Sequence, residues 1–361
     1  MIHPDSYQQA WLNSHRERKG YGKINPPLVE KMIRALSLVE QLAIQRLDFV
    51  FKGGTSLILL LDDAGRFSID IDIITLTNRE EIERVLAAVC TQPPFHRFEL
   101  SEHRSYKEGV PKAHYSFYYT SALSGKEDHI LLDILFEEHS YPELLELPVK
   151  TSWLLTYQDD VLVKVPSAAS IAGDKLTAFA PTTTGILYGK GKEVEIVKQL
   201  HDIHNLYHRI GSVEVFMKAF NNTAEKEIHY RGDTCSKSEV IDDIIQAAAL
   251  VARRERNTAE PQKSRFGEIR TGLLQFKTYL TSSNFRIEEA ALGGSKAALL
   301  AAKIKTGNTS ALPQFEQGMK KSDFLIQQPE YIDLNKLPPE PLFYWHHALQ
   351  LLFPAEQKTA N

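Results

Sequence analysis

The sequence predicts an α+β protein, with a mixed sheet and flanking helices in its first half and only helices in its second half. Segments rich in β-branched residues, typical of strands, occur within the first 165 residues, between segments with helical spacing of apolar residues. From Ser167 onward helical periodicity continues almost without interruption. A chain of 361 residues is long enough for two domains, which we place at residues 1–165 and 166–361.

Periodicity assigns the elements of both domains. Apolar residues recur near helical spacing after Pro26-Pro27, whereas residues 68–74 alternate with period two and are rich in isoleucine. In the first domain we expect a helix over 26–47, a strand over 49–51, a glycine turn opening a helix, a strand over 68–74, a helix over 79–89 and strands over 98–103, 114–120, 129–136 and 161–165. In the second we expect helices over 167–180, 193–209, 213–220, 238–253, 268–280 and 287–305.

The composition narrows the class of protein. No apolar run approaches the ~20 residues of a membrane span, and the N-terminus lacks the basic and then apolar layout of a signal peptide. Cys90 and Cys235 lie far apart without a CxxC motif, so we expect no disulfide framework and no thiolate zinc site, which fits the cytoplasm. The formal net charge of −4 argues against nonspecific coating of nucleic acid, but it allows local basic patches.

Two carboxylates lie side by side on a predicted strand. Asp70 and Asp72 are two residues apart, so their side chains point to the same face, and the isoleucines between and beside them point to the other face. Two like charges on a rigid strand repel, which favours a cation between them, and oxygen-rich sites of this kind suit Mg²⁺ or Mn²⁺. The alternative is an edge strand with solvated carboxylates.

A third carboxylate lies within an apolar strand. Asp133 shares its strand face with Leu131 and Leu135, where an unpaired carboxylate would cost several kcal/mol. A metal ion shared with Asp70 and Asp72 would compensate this charge; the alternative is a side chain that faces a solvent-filled groove. Three carboxylates on two strands are the donor set of a two-metal site for phosphoryl transfer.

A glycine-rich turn precedes these carboxylates. Gly53 and Gly54 would let the backbone approach a phosphate closely, and the helix that follows offers unpaired N–H groups and the positive end of its dipole. Thr55 and Ser56 add hydroxyl donors. Such a turn is common by itself, but together with the Asp-x-Asp strand it is specific for nucleotide chemistry.

Four segments resemble those of the AbiEii abortive-infection toxins: KGGTS at 52–56, RFSIDID at 66–72, GDKL at 173–176 and EIVKQLHDI at 195–203. The resemblance implies a nucleotidyltransferase fold of the DNA polymerase β superfamily. It also implies transfer of a nucleotide from an NTP to an acceptor, in some relatives the 3′ end of tRNA, and a cognate antitoxin protein. The family's motif residues map onto Gly54, Thr55 or Ser56, Asp70, Asp72, Lys175 and Asp202, with Arg66 and Lys198 added as nucleotide-binding residues.

The helical geometry of Lys175, Asp202 and Lys198 leaves alternatives open. Lys175 lies near the middle of the apolar arc of its helix, so it either snorkels to the surface or reaches a pocket in which a triphosphate would be its partner; we favour the pocket. Asp202 lies opposite the apolar stripe of its helix, and geometry alone predicts a solvated face with a Lys198–Asp202 ion pair. Only the resemblance assigns Asp202 and Lys198 to an active site.

Other polar groups are interpreted more simply. The histidines His201, His204 and His208 lack a third ligand at familiar spacing, so we expect a helix surface and not a metal site. The basic clusters at 253–256 and 303–305 are expected to be solvated helix faces, with an RNA-backbone patch as the alternative. Residues 181–192 are expected to form a flexible loop, with contact to phosphates or acceptor as the alternative.

The carboxylates and the glycine turn predict a metal-dependent nucleotidyltransferase. The resemblance implies that its acceptor is RNA, such as the 3′ end of tRNA, and that it acts as the toxin of a toxin–antitoxin pair. Asp133 would help to deprotonate the acceptor hydroxyl, and Lys175 would neutralise charge on the triphosphate. A nucleotidyltransferase with a small-molecule acceptor uses the same head domain. A nucleotide-binding or partner-binding module with little transfer activity is the alternative from another class.

Overall fold

The structure is a computed structural model that describes residues 1–17, 24–61, 64–101, 110–281 and 284–354. Its contacts divide the chain into two compact units. The first consists of Met1–Ser167 with Thr278–Asn284, and the second of Ala168–Lys277 with Phe285–Asn361. Thr278–Thr281 therefore belong to the first unit, although the chain on both sides of this segment belongs to the helical second unit.

The first unit is built on a seven-stranded mixed sheet. Its strands are β1 (Val50–Lys52), β2 (Ile71–Ile74), β3 (Phe95–Leu100), β4 (Lys112–Thr120), β5 (Glu127–Leu135), β6 (Leu144–Pro148) and β7 (Leu162–Pro166). They lie in the order β3–β4–β5–β2–β1–β7–β6. The central strands pair in parallel as β2–β5 and β1–β7, and the other neighbours are antiparallel. The predicted mixed sheet in the first half of the chain is confirmed.

Helices cover this sheet. They are α1 (Gln9–Ser14), α2 (Pro26–Ile44), α3 (Gly53–Leu60) and α4 (Arg79–Val89). Helix α2 packs against β5 and β7 through a largely buried face, and α3 contacts β1, β2 and β6. Asn78 caps the N-terminus of helix α4. Its side chain accepts a hydrogen bond from the Glu81 N–H and so satisfies one of the free amides of the first turn.

The second unit is helical. Its helices are α5 (Ala168–Ala178), α6 (Glu193–Leu206), α7 (Val213–His229), α8 (Lys237–Arg253), α9 (Gln262–Phe276), α10 (Ile287–Thr306) and α11 (Pro339–Leu352), with several short 3-10 helices between them. Helix α6 is packed by α5, α9 and α10, and α10 also packs on α8 and α11. Gly173 allows α5 and α7 to approach closely, because a Cβ there would lie 2.5 Å from the Phe220 amide nitrogen. The predicted helical second half is confirmed.

The structure corrects several predicted boundaries. Strand β2 begins at Ile71, so Asp70 lies just before it; β3 begins at Phe95, and positions 102–103 of its predicted range lie outside the described residues. Strand β6 and helices α1 and α11 had no prediction. No helix in the described parts of the chain is long and apolar enough to span a membrane.

Candidate active site

Four charged or polar residues form one row across the centre of the sheet. Asp72 on β2 is paired with Asp133 on the parallel strand β5, with Lys52 on β1 and, through Asp133, with His114 on β4. Residues paired across neighbouring strands point to the same side of a sheet. The two carboxylates therefore lie on one face, next to each other.

The other face of the same strands is the core. Ile71 and Ile73 on β2 are at most 1% exposed, as are Leu132 and Ile134 on β5, whereas Asp72 and Asp133 are half-buried. Alternation of buried and half-buried residues fixes which way the carboxylates point, because a one-residue slip of either strand would bury a charge in the core. The predicted alternation of Asp72 and its neighbouring isoleucines is confirmed.

Asp133 has a protein partner that the sequence did not indicate. His114 Nδ1 lies 2.5 Å from Asp133 Oδ1, and the two side chains are 12% and 29% exposed. The Asp133 carboxylate thus has a hydrogen-bonding partner within the protein, whereas the sequence argument proposed a shared metal ion as its partner. A histidine in the predicted strand 114–120 was the available signal, but its pairing with Asp133 depends on the register of two strands.

Asp70 occupies a different kind of position. It precedes β2 and is exposed, and its backbone carbonyl accepts a hydrogen bond of 2.5 Å from Thr55 Oγ1. This bond ties the first turn of α3 to the start of β2. Asp70 therefore lies beside the glycine turn, but its side chain is not in the strand row of Asp72 and Asp133.

The glycine turn packs directly on Asp72 and Arg66. Gly53 has a φ of +78°, and a Cβ there would overlap the Asp72 carboxylate. A Cβ on Gly54 would lie 2.5 Å from Arg66 Nη2, and the Arg66 side chain is buried and donates to the Phe67 carbonyl. The absence of side chains at both positions is what brings the start of α3, a carboxylate and a guanidinium together.

The hydroxyl groups of the turn have partners within the unit. Thr55 donates to the Asp70 carbonyl, and Ser56 Oγ donates to the Gly53 carbonyl at 2.9 Å; neither side chain is exposed. Because both hydroxyls already donate to backbone carbonyls, they do not support the expected hydrogen bonds to a phosphate. The backbone N–H groups at the start of α3 remain the groups suited to an anion, and the assignment of residues 53–56 to nucleotide binding stays a prediction.

No group of three or more His, Cys, Asp or Glu side chains in the described ranges is close enough to hold a metal ion. Asp72 and Asp133 nevertheless provide paired oxygen donors of the type that Mg²⁺ prefers, on neighbouring strands and on one face. A nucleoside triphosphate supplies further oxygen ligands to Mg²⁺ in such sites, so two protein carboxylates are enough on the protein side. The metal site stays a prediction.

The helical unit contains a buried ion pair. Lys175 Nζ on α5 lies 3.2 Å from Asp202 Oδ2 on α6, and the side chains are 10% and 1% exposed. His201 Nδ1 lies 3.5 Å from the other carboxylate oxygen of Asp202. The interpretation of Asp202 as part of a solvated face is wrong, and Lys175 reaches inward, where its observed partner is Asp202.

The model of one protein family, described as nucleotidyl transferase AbiEii toxin of a type IV toxin–antitoxin system, matches residues 36–281. The chain belongs to the AbiEii family. It is therefore an enzyme of the nucleotidyltransferase class and a member of a toxin family that implies an antitoxin partner. All four motif segments quoted above lie within the matched residues.

Solved structures are also similar to this AbiEii chain. A crystal structure described as a candidate nucleotidyltransferase from H. pylori is 16% identical, with a TM-score of 0.44 over 78% of this chain and 97% of that chain. The structure of JHP933 from Helicobacter pylori is 16% identical, with a TM-score of 0.43 over 79% of this chain and 96% of that chain. No curated protein matches the AbiEii chain significantly.

Lys198, His201 and His208 of this AbiEii chain have partners in the helical unit, and the pKa of His204 is shifted by its surroundings there. Lys198 Nζ lies 2.7 Å from Glu195 Oε1, an i,i+3 pair on α6. His201 is 2% exposed and packs between aromatic rings, so a simple helix surface is a wrong description of this residue. Burial and the charge of Lys296 lower the pKa of His204 to about 2, and His208 Nε2 lies 2.9 Å from Lys296 Nζ.

The basic clusters have partners within the helical unit. Arg253 pairs with Asp333, Arg254 with Glu288 and Lys305 with Asp242. Lys303 is buried and donates to the Asn308 side chain and the Ser310 carbonyl. These contacts use much of the positive charge that an RNA-backbone patch would require, and the description of Lys303 as solvated is wrong.

Proposed function

We propose that this chain is a metal-dependent nucleotidyltransferase that moves a nucleotide from an NTP to a hydroxyl group of RNA, such as the 3′ end of tRNA. It acts in the cytoplasm as the toxin of its pair and is restrained by a cognate antitoxin protein. The observation that supports the chemistry best is the side-by-side register of Asp72 and Asp133, with Asp72 packed on Gly53.

The reaction assigns a task to each part of the head. The acceptor oxygen forms a bond to the α-phosphorus of the NTP, the bond from that phosphorus to its bridging oxygen breaks, and pyrophosphate leaves. Asp72 and Asp133, joined by Asp70, would hold Mg²⁺ or Mn²⁺, and the ion would neutralise charge on the triphosphate and lower the pKa of the acceptor hydroxyl. Asp133 would accept the hydroxyl proton directly or promote its loss through the metal that it ligates. His114 fixes the orientation of the Asp133 carboxylate.

The remaining groups of the proposal contact the phosphates or carry charge that acts on the nucleotide. Backbone N–H groups of residues 53–56 contact the phosphates at the start of α3, and the buried Arg66 guanidinium next to Gly54 adds positive charge there. The family motifs extend the assignment to Lys175, Lys198 and Asp202 as charged groups that act on the nucleotide. The ion pair with Asp202 holds the Lys175 side chain in a defined position before nucleotide binds.

The test is a transfer assay on the purified chain with Mg²⁺, each labelled NTP in turn, and total tRNA. We expect label on tRNA with the wild-type protein, and loss of label in EDTA and in Asp72→Asn or Asp133→Asn. Asp128→Asn serves as the matched control, because Asp128 lies on the same strand β5 and pairs with Lys31.

Each outcome has a separate meaning. Full activity of Asp72→Asn would overturn the metal assignment. Label on a small molecule in reactions without RNA would replace the RNA acceptor. Tight NTP binding without turnover on any acceptor would favour a nucleotide-binding module in place of an active transferase.

A further inference from the structure

The helical unit contains a polar cavity that the proposed reaction does not use. It has a volume of about 340 Å³ and lies between α8, the start of α9, the loop before α6 and the 3-10 helix Pro329–Lys336. Two tyrosines, Tyr188 and Tyr331, and two arginines, Arg253 and Arg265, line it, and we call it the Tyr–Arg cavity. All of its lining residues belong to the second unit.

The aromatic and cationic groups of this cavity are paired. The guanidinium of Arg265 lies 5.6 Å from the centre of the Tyr188 ring, and that of Arg253 lies 5.7 Å from the centre of the Tyr331 ring. Tyrosine and arginine planes are the surfaces on which single nucleobases stack in proteins that bind unpaired nucleotides. The cavity therefore presents two stacking surfaces.

The charges of the cavity are unequally compensated. Arg253 is paired with Asp333, and the carboxylate of Asp243 accepts hydrogen bonds from the Thr182 N–H and the Thr183 hydroxyl. Arg265 forms no ion pair with a carboxylate of the described ranges. A half-buried guanidinium without a carboxylate partner is suited to a phosphate group.

Hydrogen-bonding groups are also available. The hydroxyl of Tyr188 is buried and has no hydrogen-bond partner among the described residues, and burial raises the pKa of Tyr188, so the group stays a donor. Asn257 is fixed by its amide nitrogen, which donates to the carbonyls of Leu250 and Arg254 and leaves the side-chain oxygen as an acceptor. The amides of Gln246 and Gln262 line the same space.

We propose that the Tyr–Arg cavity binds a single nucleotide unit, with its phosphate on Arg265 and its base against Tyr188. The volume suits one small ligand and is too small for a duplex, since binding pockets for small molecules have volumes of roughly 300–1,000 Å³. The unit is either a free nucleoside monophosphate or one unpaired nucleotide of an RNA, because both present a base and a phosphate. None of its lining residues belongs to the unit that contains Asp72 and Asp133, and the proposal does not rest on the proposed transfer reaction.

The experiment measures binding of nucleoside monophosphates and of a single-stranded RNA trinucleotide to the full chain by isothermal titration calorimetry in EDTA. We expect saturable binding of at least one of these ligands. Arg265→Gln should weaken it by about 10- to 100-fold, the loss of a charge-assisted contact to a phosphate. Lys263→Gln is the matched control, since Lys263 is exposed on the same helix and does not line the cavity. It should bind as the wild type does.

A second variant tests the cavity without removing a charged side chain. Ala247 is 4% exposed and lines the cavity, so Ala247→Leu fills part of the space without changing charge and should also weaken binding. Preference for the trinucleotide identifies an RNA nucleotide as the ligand, and preference for a monophosphate identifies a free nucleotide. Absence of binding by every ligand, or binding that folded Arg265→Gln and Ala247→Leu proteins retain in full, would overturn the proposal. Neither result bears on the Asp72-dependent transfer assay.

Discussion

The carboxylate of Asp72 rests against the α-carbon of Gly53, in the space that any side chain at residue 53 would occupy. The contact joins the start of α3 to the middle of β2 and lies directly beside Asp133, the neighbour of Asp72 on β5. Gly53 also has a φ of +78°, which L-residues rarely adopt. One position thus combines a backbone requirement with a packing requirement, and the two can be separated by mutation.

Gly53→Ala should reduce both stability and transfer activity. The left-handed backbone costs an alanine about 1–2 kcal/mol, and the new methyl group must also displace the Asp72 carboxylate. Gly125→Ala is the matched control, because Gly125 has a φ of +67° and a Cβ there would meet no atom within 4 Å. Urea unfolding should show the cost of the left-handed backbone in both variants, with a larger loss in Gly53→Ala, and the transfer assay should show lost activity only in Gly53→Ala. Equal activity of the two variants would contradict a role for the Gly53–Asp72 contact.

His114→Ala should lower the rate of transfer by about 10- to 100-fold, the usual effect of removing a residue that orients a metal-binding or catalytic side chain. The reason is that His114 holds Asp133 through a contact of 2.5 Å. His129→Ala is the control on the neighbouring strand, since that side chain is 45% exposed. The measurement is kcat and KM under saturating Mg²⁺. An unchanged kcat in a folded His114→Ala protein would remove His114 from the site.

Breaking the Lys175–Asp202 pair should destabilise the helical unit by about 3–5 kcal/mol, because removing one partner leaves the other charge buried. Lys175→Met and Asp202→Asn together should cost less than the sum of the two single changes. Lys198→Met is the control on α6: its pair with the more exposed Glu195 should be worth no more than about 1 kcal/mol. Urea unfolding of the four variants measures the coupling, and strictly additive effects would argue against the pair.

Stability should fall as the pH drops below about 6.5, and His204 should account for part of the loss. Burial lowers the pKa of His204 to about 2 in the folded chain from an ordinary value of 6.5. Below pH 6.5 the unfolded chain therefore binds a proton that the folded chain does not, and each such group costs about 1.4 kcal/mol per pH unit. His204→Gln should reduce this slope by about one proton between pH 6 and pH 5 in urea unfolding. His229→Gln, at an exposed side chain, should leave it as in the wild type.

Much of the fold could be predicted because it depends on local periodicity. The predicted helix over 79–89 is α4, and the predicted helices of the second half correspond to α5 through α10 within a few residues at most ends, although α7 extends well beyond its predicted end. Strand β6 had no prediction. It lies at the edge of the sheet and pairs only with β7, and its residues do not alternate clearly between buried and exposed.

The helical-wheel argument failed at Asp202 for a specific reason. It assumed one buried and one solvated face, but α6 is packed by α5, α9 and α10, so both faces are covered. Gln199, His201 and Asp202 are buried along with the apolar stripe. A polar residue on such a helix is buried with a partner supplied by another helix, and for Asp202 that partner is Lys175.

The sequence by itself determined the order and type of most elements, the glycine turn and the identity of the carboxylates, because each depends on residues close together in the chain. Tertiary structure alone decided that Asp72 lies beside Asp133, that His114 contacts Asp133, and that Asp202 is buried against Lys175. These relationships depend on strand register and on the packing of helices distant in sequence. Periodicity records which face of an element is apolar, but it does not record which element covers that face.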